Sequence, residues 1–113
     1  MDTSVQSWLA AFLLTQAIEV PLYAFAARSR PIMPRAAYAI GASSLTHPLI
    51  WFCLPWNSSS YVLLLIVAET FAIAVEGAWG RLWRVPRPWL ASLLANGASL
   101  SLGSFVRWWT GLV

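Results

Sequence analysis

Hydrophobic residues in this chain gather into four long blocks, parted by three short polar joints. The blocks run from about Trp8 to Ala27, Ala36 to Trp56, Tyr61 to Gly80 and Trp89 to Trp109. Each is about 20 residues long, enough for a helix rising about 1.5 Å per residue to cross about 30 Å of hydrocarbon. The joints are Arg28–Arg35, Asn57–Ser60 and Arg81–Pro88. Joints this short make each helix the antiparallel neighbour of the next. The pattern predicts an all-α integral membrane protein. It is an antiparallel four-helix transmembrane bundle over residues 1–113, with spans at about 8–27, 36–56, 61–80 and 89–109.

Polar residues interrupt the blocks at helical spacing. Gln16, Glu19 and Tyr23 recur at i, i+3, i+7, and so do Ser43 or Ser44, His47 and Trp51. Glu69 and Glu76 are seven apart, and Ser92, Asn96 and Ser99 form a stripe. Each helix thus gains one polar face, and in lipid such faces turn to the bundle interior. Counted from the ends nearer the basic joints at about 1.5 Å per residue, Glu19, His47, Glu69 and Asn96 lie roughly 12–16 Å deep, and Glu76 roughly 6 Å.

Insertion energetics give these positions weight. An ionisable side chain near the bilayer centre costs about 2.5–3.5 kcal/mol, whereas an interhelical hydrogen bond returns about 0.6 kcal/mol. Three glutamates and a histidine oppose insertion by roughly 10 kcal/mol. Packing does not account for them. Glu19, His47 and Glu69 are therefore the expected centre of an ion, proton or ligand site, with Glu76, Asn96 and Ser99 around it. Arg81, five residues on, is the alternative partner for Glu76.

Charge supplies an orientation. Of 113 residues, 59% are hydrophobic and 10% charged, against about 25% charged in a soluble domain. The net charge of +3 comes from arginine, with no lysine. Because the arginines flank apolar spans, the expected partner is the lipid bilayer and not nucleic acid. Arg28, Arg30 and Arg35 sit at the first joint and Arg81, Arg84 and Arg87 at the third, while the second is uncharged. The positive-inside bias makes the two basic joints cytoplasmic and both termini external, as in a bacterial inner membrane. Arg107 then snorkels at the outer end of span four. Trp8, Trp56, Trp108 and Trp109 mark the outer interface, and Trp79, Trp83 and Trp89 the inner one. The acidic start, Met1-Asp2, and the lack of a clean A-x-A site make the first block a retained span. The two basic joints, each with two prolines, suggest a duplicated two-helix unit.

The remaining chemistry is sparse. With one histidine and no HExxH or paired-His motif, no metal is expected, and no cofactor is indicated. Ser43 or Ser99 beside His47 could supply a nucleophile, but no G-x-S-x-G frames either. Cys53 is the only cysteine; it forms no internal disulfide and reads as a packing residue in an apolar run. Ala91, Ala95, Ser99 and Gly103, and likewise Ala68, Ala72 and Gly80, read as close-packing seams. Pro21 and Pro48 free the carbonyls of Ala17 and Ser44 near the polar level. Asn57-Ser58-Ser59 matches a glycosylation sequon.

The size, the four-span plan and a glutamate in the first span resemble the small multidrug resistance transporters. The resemblance covers the overall plan. Their Gly- and Ala-rich signature in the later spans is absent, and the one-sided arginines differ from the dual topology some of them show. The chain is therefore not assigned to that family. The leading expectation is a proton- or cation-linked transport component acting as a homo-oligomer or with other membrane subunits. An intramembrane enzyme using Glu and His as acid and base is the alternative, with no catalytic residue assigned. A non-catalytic subunit of a membrane complex is the third reading.

Overall fold

The computed structural model describes residues 5–55 and 60–110. Trp56 and the sequon at Asn57 lie outside the described residues, as does most of the second joint. Four helices fill the rest: α1 (Val5–Ala26), α2 (Ile32–Cys53), α3 (Tyr61–Leu82) and α4 (Pro88–Thr110). At 22 or 23 residues each, they are about 33 Å long. By length and composition α1, α3 and α4 can cross a membrane. Helix α2 is as long but less apolar, because it carries Arg35, Ser43, Ser44, Thr46 and His47. Both Pro21 and Pro48 lie inside continuous helices.

The four helices form a bundle with a square plan. Each helix packs against two neighbours: α1 on α2 and α4, α3 on α2 and α4. The diagonal pairs make no close backbone approach. Small residues allow the closeness of the sides. Along α3 Leu64, Ala68, Ala72, Glu76 and Gly80 are buried four apart, with Gly77 buried beside Glu76. On α4, Ala95 is buried and Ala91 half-buried against the same core. At one end a layer of Tyr23, Ala27, Tyr38, Ala39, Ala42 and Val85 closes the bundle, with Trp79 and Trp83 packed on it. The Trp79 indole donates to the Tyr38 carbonyl at 3.2 Å.

The joints are built differently despite their similar sequences. In the first, Arg35 Nε donates to the Ala24 carbonyl at 2.6 Å, tying α2 to the end of α1. The third is a Schellman turn. The Arg84 amide bonds the Arg81 carbonyl and the Val85 amide bonds the Gly80 carbonyl, each at 3.0 Å. Arg84 takes the left-handed backbone (φ 56°) that glycine usually occupies there. A side chain in that region costs about 1–2 kcal/mol. Arg87 is also left-handed, at φ 49°.

Two helical glycines have opposite surroundings. A Cβ on Gly77 would run into the Trp89 ring, whereas one on Gly97 would meet nothing within 4 Å. Gly77→Ala is expected to cost about 1–3 kcal/mol by overpacking. Gly97→Ala is expected to gain about 0.4–1 kcal/mol, since alanine loses less backbone entropy. Thermal unfolding in detergent checks both signs; equal effects would mean that α3 and α4 do not pack through Gly77.

Cys53 departs from its expected role. It is exposed at the end of α2, because it lies two residues past buried Trp51 and so points away from the core.

Candidate functional site

Glu76 is the hub of the interior. It is 1% exposed, and all three other helices donate to it. From α1, the Tyr23 hydroxyl donates to Oε1. From α2, Thr46 Oγ1 donates to Oε2 at 2.5 Å. From α4, Asn96 Nδ2 donates to Oε1 at 3.1 Å. Tyr23 reaches across the diagonal of the bundle, where the backbones stay apart. Asn96 is itself fixed by its own helix, donating to the Ser92 carbonyl at 2.9 Å. Ser92 in turn donates to the Ile73 carbonyl at 2.9 Å.

Glu19 lies beside this hub and is 2% exposed. Its Oε2 accepts from Ser99 Oγ at 2.5 Å. Its Oε1 finds no donor among the described residues. One turn away, Gln16 latches α1 to α2. It accepts from Ser43 Oγ at 2.5 Å and donates to Ser44 Oγ at 3.1 Å.

A cavity of about 140 Å³ joins these groups. Glu19, His47, Glu69, Glu76, Asn96 and Ser99 all line it. Among the described residues no arginine lines it. A second cavity of about 120 Å³ adjoins it, sharing Thr15, Trp51, Ser99 and Leu100. This vestibule passes Ser104 and reaches Tyr61 and Arg107. There Arg107 Nη1 donates to Tyr61 Oη at 2.6 Å, with its guanidinium 5.1 Å from the ring centre. The tyrosine layer lies at the other end of the bundle.

The positions differ in detail from what spacing suggests. Glu76, not Glu69, has the densest bonding, and Arg81 stays exposed. Helix α3 continues to Leu82 and α1 stops at Ala26, so Glu76 and Glu19 stand at nearly the same distance from their helix ends. Glu69 is half-buried on the cavity wall. The inward stripe of α3 advances by fours, drifting about 40° per step, so at that height Ala68 takes the inner position. His47 is packed among aromatic rings: Phe12 at 5.5 Å, Trp51 at 6.1 Å and Trp8 at 6.5 Å between centroids. Its Nδ1 has no partner among the described residues. Ser43 and Ser99 bond Gln16 and Glu19 rather than His47. Among the described residues no three His, Cys, Asp or Glu side chains could together hold a metal ion.

Thr46 is the Glu76 donor that spacing leaves out. Tyr23 belongs to the Gln16–Glu19 face that spacing identifies, and its hydroxyl reaches Glu76. A scan against protein-family models finds no match for this chain, and searches of curated proteins and of solved structures find none either.

Proposed function

We propose that this chain is an integral membrane protein, an antiparallel four-helix bundle, whose interior binds and passes a proton or small cation. It acts as a transport component, as a homo-oligomer or with other membrane subunits. The observation that carries the reading is Glu19. Its carboxyl is almost fully buried, has one oxygen without a donor, and faces Glu76 across a cavity that no arginine lines. A buried carboxylate without a fixed counter-charge is an expensive feature unless a mobile positive charge compensates it. The vestibule past Ser99 and Ser104 supports the reading by giving that charge a polar route to one end.

Orientation follows the arginines. The basic joints are proposed to face the cytoplasm and the termini the outside, in a bacterial inner membrane. Reporter fusions at both termini are expected to report an external location.

Reconstitution tests the function itself. Purified protein in liposomes is expected to carry proton or monovalent-cation flux above protein-free liposomes. Glu19→Gln with Glu69→Gln is expected to remove at least nine-tenths of it, because the amides keep shape but bind no cation. Full flux in the double variant, or none in the wild type, would overturn the proposal.

A further inference from the structure

We infer that the groove between the C-terminal end of α1 and the N-terminal end of α4 binds one anionic phospholipid. The groove encloses about 600 Å³, within the range of ordinary ligand pockets. It has two chemically distinct parts. Arg28, Ser29 and Arg87 form one, and Leu22, Phe25, Leu90 and Leu94 line the other. The four apolar side chains are all largely exposed. A basic rim above an apolar slot matches a phosphate headgroup with an acyl chain beneath it, and it matches neither a free ion nor a neutral lipid.

Two arginines place positive charge on the rim. Arg28 is folded back over the Phe25 ring, 4.3 Å from its centre, with Nη1 donating to the Phe25 carbonyl at 3.1 Å. That pose holds the exposed guanidinium beside the groove. Arg87 holds a left-handed backbone immediately before α4, and its carbonyl accepts the Ala91 amide as the first bond of that helix. The helix itself has no acidic residue in its first turn, and Arg87 offers no accepting side chain to cap it. The N-terminal end of this 23-residue helix lies beside the groove, where Arg87, Leu90 and Ala91 line it. Two guanidinium groups on one rim suit the fork geometry of phosphate recognition. Basic pockets between helices beside a cytoplasmic leaflet are where anionic headgroups settle.

The inference rests on the membrane reading but not on transport. The experiment titrates protein purified in neutral detergent with phosphatidylglycerol, with phosphatidylcholine of the same chains, and with inorganic phosphate, counting bound lipid by native mass spectrometry. One phosphatidylglycerol is expected to bind at least tenfold more tightly than phosphatidylcholine. Arg28→Gln and Arg87→Gln are each expected to weaken it about fivefold, and together roughly 30-fold, at about 1 kcal/mol per arginine. Arg81→Gln, an exposed arginine outside the groove, is expected to change nothing. Equal binding of the two lipids, or an equal loss with Arg81→Gln, would overturn the site. Full displacement by millimolar phosphate would make it an anion site without lipid specificity, which also overturns it. Alkaline extraction of cell membranes tests the underlying reading separately: release of the protein would sink the membrane assignment, whereas a retained protein without lipid preference sinks only the groove.

Discussion

Glu76→Ala is expected to destabilise the bundle by about 2–4 kcal/mol, while Glu76→Gln costs about 1 kcal/mol. The alanine variant removes the acceptor shared by Tyr23, Thr46 and Asn96. Three interhelical bonds at the membrane average of about 0.6 kcal/mol give roughly 2 kcal/mol. Donors left buried and unpaired add to that. Glutamine keeps one carbonyl oxygen for Tyr23 and Asn96, and the Thr46 hydroxyl can rotate to accept from its amide. Unfolding in mixed micelles, followed by tryptophan fluorescence, measures both variants. Equal stabilities for alanine and wild type would mean that the three donors find other partners, and that Glu76 does not organise the interior.

A thiol placed at Ser104 is expected to act as a one-sided stopper. In a Cys53→Ser background, Ser104→Cys stands in the vestibule between the acidic cavity and Arg107. A charged, membrane-impermeant methanethiosulfonate added on the Arg107 side is expected to cut flux at least tenfold, and the same reagent on the other side to leave it unchanged. Ala39→Cys, within the tyrosine layer, is expected to stay unlabelled from both sides. Labelling of Ala39→Cys, or block of Ser104→Cys from the arginine-rich side, would refute a route that opens at one end.

Hydropathy made the four helices legible because each apolar block is both long and cleanly bounded. Helical spacing also identified the faces: Gln16, Glu19 and Tyr23 do turn inward together, as do Ser92, Asn96 and Ser99. What spacing could not supply was height and rank. Glu76 looked shallow because depth was counted along a straight axis from an assumed helix end. Two extra residues on α3 and an earlier end to α1 close that gap. His47 looked like a partner for carboxylates, since a sequence shows that a histidine is present but not which rings surround it. Thr46 was overlooked for a related reason: a threonine in a helix more often bonds its own backbone, as Thr70 does to the Ile66 carbonyl at 2.8 Å.

The mixed character of α2 bears on how the chain is assembled during synthesis. On the proposed membrane reading, α2 is the one helix of the four that length and composition alone do not mark as a span. Most of its polar groups, however, find partners on α1, which emerges from the ribosome first. Gln16 takes Ser43 and Ser44, the Ala24 carbonyl takes Arg35, and Trp8 and Phe12 cover His47. Only Thr46 waits for Glu76 on α3. If the chain enters a bilayer as proposed, the α1–α2 hairpin is the smallest piece in which most polar groups of α2 are already partnered.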